Sequence, residues 1–234
     1  MSFPNLNQDN LPPSSNLAKS ILDKINKRRN YSISPYSSFS DVNEAGNTPL
    51  HYYLLFNQSM DDKLTAEEFD YLLTNSNLKK LNRYQQSPLL LLAKVPDHTI
   101  TVTDQQFAYL LSASNPFATD NDGLAFLQYY FKNISEKKFS FNLQPHQLTY
   151  LIKNDSNPYS IFYYAFAREK LKKDFISEEQ IITLINKSHD LFLKDNQYFA
   201  YNNQAVYQNL LDMLNTKLTI SCLAQPTSSQ NLKL

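Results

Sequence analysis

The chain has 234 residues, 42% of them hydrophobic, which is enough for a folded core and argues against wholesale disorder. Its 22 basic and 22 acidic residues cancel, so no global field draws it to nucleic acid or an anionic membrane. The single cysteine, Cys222, excludes an internal disulfide framework, and no apolar run approaches the roughly 20 residues of a membrane span.

Residues 1–14 are polar, with Pro4, Pro12 and Pro13, and read as a flexible leader rather than a secretory signal. A helix is expected over residues 15–30. Leu17, Ile21, Leu22 and Ile25 recur at helical spacing, and Lys24, Lys27, Arg28 and Arg29 sit toward the end that the helix dipole favours. With only four aliphatic residues in its stripe, it suits a cap on a helical array better than a membrane-surface helix. Tyr31–Ser40 is serine-rich and reads as an irregular linker.

The run Asn43-Glu44-Ala45-Gly46-Asn47-Thr48-Pro49-Leu50-His51 is a turn feeding a helix. Asn43 opens the turn and Gly46 supplies a left-handed conformation. Thr48 caps the helix, and Pro49 takes the first helical turn, where its missing donor matters least. Ser87-Pro88-Leu89-Leu90 repeats this start, and Ala125-Phe126-Leu127-Gln128 repeats it again after Asp120-Asn121-Asp122-Gly123. Gly46 and Gly123, the only glycines, each stand four residues before a leucine, Leu50 and Leu127. A looser copy runs from Asn157 to Tyr164.

A second helix type alternates with the first. Thr65/Glu68, Thr103/Gln106 and Ser177/Gln180 have the spacing of a capping box, while Gln144-Pro145 provides another legitimate helix start. Leu64/Phe69, Val102/Phe107, Leu143/Leu148 and Ile176/Ile181 have the spacing of a hydrophobic staple. Four such segments in succession define a helical repeat. A last helix is expected over Gln204–Leu214, and residues 216–234 read as a flexible tail.

The Gly-x-Thr-Pro-Leu-His wording of Gly46–His51 resembles the signature of ankyrin repeats, which have roughly 33-residue units. Ser87–Leu92 and Asp120–Leu127 carry the resemblance less fully, and it spans residues 41–215. It implies an all-α, ankyrin-like helical-repeat solenoid of about four units. The units are longer than usual: Leu50, Leu89 and Leu127 stand 39 and 38 residues apart. The excess lies between the first and second helix of each unit, whereas the hairpin between Leu151 and Ile161 is cut short. The signature histidine stands only at His51, with Leu90, Gln128 and Phe162 in its place elsewhere. Generic helical hairpins with ankyrin-like turns are the alternative description.

No catalytic constellation emerges. His51, His98, His146 and His189 lie 47, 48 and 43 residues apart, without metal-ligand spacing. His51 is expected to brace its turn by a local hydrogen bond. Glu67, Glu68 and Asp70 suit the first turn of a helix better than a catalytic carboxylate pair. No catalytic residue, cofactor or metal is expected. The resemblance implies partner contacts at the turn tips: Glu44, Ala45 and Asn47, then Arg83, Tyr84 and Gln86, then Asn121, Asp122 and Leu124. The paired aromatics Tyr52/Tyr53, Tyr129/Tyr130 and Tyr163/Tyr164 read as packing, with Tyr52 and Tyr129 as candidates for a concave recognition face.

The resulting expectation is a monomeric, non-enzymatic scaffold that binds a protein, with no nucleic-acid partner and no transmembrane segment. The Asn/Lys/Tyr-rich, glycine-poor style is similar to that of ankyrin-type effectors that intracellular bacteria deliver into host cells. That resemblance implies a host protein partner and a cytoplasmic location, reached by a route other than general secretion. Leu232 and Leu234 in the polar tail fit a translocation signal. The alternatives are a regulator of another bacterial protein and an enzyme with its site in a helical groove.

Overall fold

The computed structural model describes residues 14–28, 35–95, 101–133, 139, 141 and 143–156, and the single positions Gln180, Thr183 and Asp212, all three helical. Two compact units divide the chain, Met1–Asn157 and Pro158–Leu234, and the elements below belong to the first. They are α1 (Ser14–Lys27), α2 (Pro49–Phe56) running into a 3₁₀ turn (Asn57–Ser59), α3 (Ala66–Asn75), α4 (Pro88–Lys94), α5 (Asp104–Ala113), α6 (Phe126–Asn133) and α7 (Pro145–Asn154). The described residues contain no strand, so this part of the chain is all-α.

Helix starts lie where side chains satisfy the orphan backbone N–H groups. Thr48 Oγ1 accepts from His51 N–H and Ser87 Oγ from Leu90 N–H at 3.2 Å. Thr65 Oγ1 accepts from Glu68 N–H at 3.2 Å while Thr65 N–H donates to Glu68 Oε2 at 2.8 Å. Thr103 and Gln106 form the same reciprocal pair at 3.2 and 2.9 Å. Gln144 N–H donates to Gln147 Oε1 at 2.9 Å, so α7 keeps one half of the box. The expected Ser177 cap lies outside the described residues, as do Asn157–Tyr164 and, apart from Asp212, the expected helix Gln204–Leu214.

Packing arranges these helices in two rows. In one, α2 lies against α4 and α4 against α6; in the other, α3 lies against α5. Leu50, Leu54, Leu72, Leu73, Leu89, Phe107, Phe126, Phe131 and Phe141 are sealed between them, each burial stabilising by about 1.5–3 kcal/mol. Toward α6 the core becomes aromatic, with Phe107 stacked on Phe141 at 4.2 Å and Tyr130 on Phe139 at 5.4 Å. Both Tyr129 and Tyr130 are buried, so this pair serves packing and leaves neither ring exposed.

The N-terminal helix α1 spans Ser14–Lys27, and residues 29–34 lie outside the described residues. Its Ile21, Leu22 and Ile25 are buried, and it packs on α2 and α3. An ion pair between Lys24 and Glu68 Oε2 at 2.8 Å joins it to the start of α3. The end of the serine-rich linker is pinned. Tyr36 exchanges two 2.9 Å hydrogen bonds with the Asn26 side chain, and its hydroxyl donates to the Asn47 carbonyl at 2.8 Å.

Candidate functional site: a row of turn tips

Three five-residue turns, Asn43–Asn47, Asn82–Gln86 and Asp120–Leu124, have one hydrogen-bond pattern. The first residue's Oδ1 accepts N–H groups two and four positions on, at 3.0 and 3.0 Å for Asn43, 2.9 and 3.0 Å for Asn82, and 3.0 and 3.2 Å for Asp120. Its own N–H donates to the carbonyl of the fifth residue, and its carbonyl accepts from the fourth. Short Asx side chains suit this because they bond the backbone locally and leave the tip outside.

The fourth position is left-handed in all three turns, with φ +73° at Gly46, +59° at Gln85 and +73° at Gly123. A Cβ on Gly46 would lie 3.1 Å from Arg83 N, whereas one on Gly123 would meet nothing within 4 Å. Gly46 therefore serves a close approach as well as a φ value. The tips are tied in line, since Arg83 N–H donates to Ala45 O at 3.0 Å and Asn121 N–H to Tyr84 O at 3.3 Å.

Beneath the tips runs a buried brace. His51 is sealed, with Nε2 at 3.0 Å from the Gln86 carbonyl and Nδ1 at 2.7 Å from Thr48 Oγ1. The carbonyl requires a proton on Nε2, so Nδ1 accepts from the threonine hydroxyl. Burial pushes the imidazole down to about 4, against the opposite pull of backbone bonds to Gln86 and Lys80, and it is neutral at pH 7. Gln128 occupies the equivalent place, accepting from Ala125 N–H at 2.8 Å and donating to Asp155 Oδ2 at 2.9 Å. At the middle unit Leu90 makes no such bridge.

The third tip has a second support. Lys94 Nζ lies 2.7 Å from Asp120 Oδ2, 3.3 Å from Asp122 Oδ2 and 4.9 Å from the Tyr129 ring centre. Tyr129's hydroxyl donates to Asp120 Oδ2 at 2.8 Å. Burial pushes the Asp120 carboxyl up, but hydrogen bonds from Lys94, Tyr129 and the Leu124 N–H outweigh it and hold the group below its usual value. Partial burial pulls Lys94 down, and the bonds to Asp120 and Tyr129 overcome it, leaving the ammonium above its usual value.

The expected contact residues divide by position in the turn. Glu44, Arg83, Tyr84, Asn121 and Asp122 are exposed, while Ala45, Tyr52, Gln86 and Leu124 are half-buried. Asn47 and Tyr129, each 5% exposed, are placed inside. Asn47 closes its turn, and its Oδ1 accepts from Asn82 Nδ2 at 2.9 Å; Tyr129 is held by Asp120. Gln85 escaped the sequence reading because a left-handed glutamine has no compositional mark. The anchors Asn43, Asn82 and Asp120 carry a usable signal, the same 39- and 38-residue spacing as the leucines.

Among the described residues no three His, Cys, Asp or Glu side chains are grouped to hold a metal ion. His146 is exposed on α7, and His98, His189 and Cys222 lie outside the described residues. An open depression of about 390 Å³ beside α1 is lined by Asn16, Lys19, Ser20, Asp23, Lys24, Lys27 and Asp62. Its Asp62 pairs with Lys27 at 3.1 Å and Lys24 at 3.6 Å, an arrangement of surface ion pairs. No described helix is long and apolar enough to cross a membrane. Comparison with protein-family models, curated proteins and solved structures finds no match.

Proposed function

We propose that the chain is an ankyrin-like repeat scaffold that binds a protein partner through its row of turn tips. One observation carries the reading: three turns share every backbone hydrogen bond yet present different side chains, Glu44-Ala45, Arg83-Tyr84 and Asn121-Asp122. A constant frame with a variable surface is how repeat proteins build recognition faces. Arg83 and Tyr84 are its centre, since both are exposed and both residue types are enriched in binding hot spots. The two side chains also hold one another. Arg83 Nη2 donates to Tyr84 Oη at 2.6 Å, and the guanidinium lies 4.9 Å from the ring centre.

The partner is proposed to be a host protein, on the similarity of the sequence style to delivered bacterial effectors. Affinity capture with the full chain, from host lysate and from lysate of the source organism, tests both levels. Wild type should retain a host protein that the double variant R83A/Y84A, folded by circular dichroism, does not. Retention of only a bacterial protein would overturn the host assignment. Equal retention by wild type and the double variant would overturn the tip row as the binding face.

A further inference from the structure

Charge alternates along the tip row. The segment 35–47 carries Asp41 and Glu44 and no basic residue; the segment 114–124 carries Asp120 and Asp122 and no basic residue. Between them the loop 76–86 carries Lys79, Lys80 and Arg83 and no acidic residue, and all three cations are exposed. Two of the acids are partly spoken for. Asp41 is bound by the Ser37 and Ser38 hydroxyls and N–H groups, and Lys94 neutralises one of the charges of Asp120 and Asp122. Glu44 and Asp122 remain exposed at the flanking tips.

The middle tip differs in a second, independent way. Where its neighbours place glycine at the left-handed position, it places Gln85 at φ +59°. A non-glycine residue in that region costs about 1–2 kcal/mol. The gain is an exposed side chain, so Arg83, Tyr84 and Gln85 stand side by side where the other tips end in a bare glycine. Arg83 makes no ion pair among the described residues. Its guanidinium is oriented by the Tyr84 ring and hydroxyl instead, so less side-chain freedom is lost when it meets a ligand.

From these observations we infer that the middle tip receives carboxylates of a partner whose flanking surface is basic: an acidic pair of side chains set against Lys80 and Arg83, with lysine or arginine opposite Glu44 and Asp122. The guanidinium fork matches a carboxylate in two parallel hydrogen bonds, and Tyr84 supplies an apolar wall beside it. A uniform polyanion fits poorly because the flanking tips repel it. Like charges brought together across an interface select against wrong partners, and opposite charges select for the right one. The inference rests on the tip row as binding face and adds the chemistry of what it binds.

Fluorescence anisotropy with two short labelled peptides tests it, one with a Glu-Glu core flanked by lysines and one uniformly acidic. The full chain should bind the mixed peptide in a salt-sensitive manner. K80E/R83E should weaken it at least about tenfold, a change of about 1.4 kcal/mol, while K19E on α1 should not. E44K/D122K should reverse the preference toward the uniformly acidic peptide. The inference is overturned if the mixed peptide does not bind, if K80E/R83E binds it as wild type does, or if the acidic peptide or a single-stranded oligonucleotide binds wild type more tightly. A photocrosslinker at position 84 separates the two levels. A protein captured equally with and without R83E leaves the tip row standing and removes the charge complementarity; no captured protein removes both.

Discussion

Replacing His51 by glutamine isolates the buried brace. The imidazole has no exposed surface, and both of its nitrogens are occupied, by the Gln86 carbonyl and the Thr48 hydroxyl. Gln128 shows that an amide fits this position, capping its helix and reaching forward at 2.8 and 2.9 Å. H51Q should therefore stay within about 1 kcal/mol of wild type near neutral pH, whereas H51A loses both bonds and leaves a void, costing about 3 kcal/mol. Acid separates wild type from H51Q. Because burial lowers the folded-state value to about 4, below an unfolded value of 6.5, the unfolded chain takes up the proton first. This contribution is fully present above the unfolded value and is lost as pH falls toward 4. From about pH 7.5 to about pH 5 the loss is about 2 kcal/mol. Glu68 and Asp120 titrate equally in both proteins, so the difference between them reports His51 alone. Urea unfolding of the full chain, followed by far-UV circular dichroism at both pH values, measures it. If H51Q loses as much stability in acid as wild type, the buried neutral imidazole is refuted.

Four further outcomes can be checked with the same unfolding assay. G46A should cost more than G123A: both acquire a strained left-handed alanine at about 1–2 kcal/mol, but only at Gly46 does the new methyl press on the Arg83 and Asn82 backbone. Q85G should stabilise by up to about 1 kcal/mol, and no gain would mean that the φ of +59° is not strained. D120N should keep the turn bonds, since Asn43 and Asn82 anchor their turns as amides, but lose the acceptor shared by Lys94 and Tyr129; D120A loses both sets and should cost more, about 3 kcal/mol. E68Q should keep the cap that Gln106 forms and lose about 1 kcal/mol of ion pairing with Lys24, an increment that added salt diminishes. Equal melting of E68A and E68Q would show that the cap contributes nothing.

How much of this was legible in the chain follows from the range of each interaction. Thr48, Thr65, Ser87 and Thr103 act on N–H groups three residues away, and the Asx anchors act two and four residues away. Residue types in a short window therefore determine where helices start and turns close. The staple and leucine spacings likewise marked Leu50, Phe69, Leu89, Val102, Phe107, Leu127 and Leu148, all of them buried. Other features needed the stacked units. Glu68 reads as a first-turn charge until α1 brings Lys24 to 2.8 Å across 44 positions, and Gln106 reads as a cap until α3 brings Asp70 to 2.6 Å. The same holds for Lys94 beneath the third tip, for the close approach that demands Gly46, and for the burial of Asn47 and Tyr129. Apart from the Tyr129–Asp120 bond, these partners lie 26 to 44 positions away, where a shift of one helix against the next reassigns every contact. The repeat is local chemistry written several times; the surface and its braces exist only once the copies are stacked.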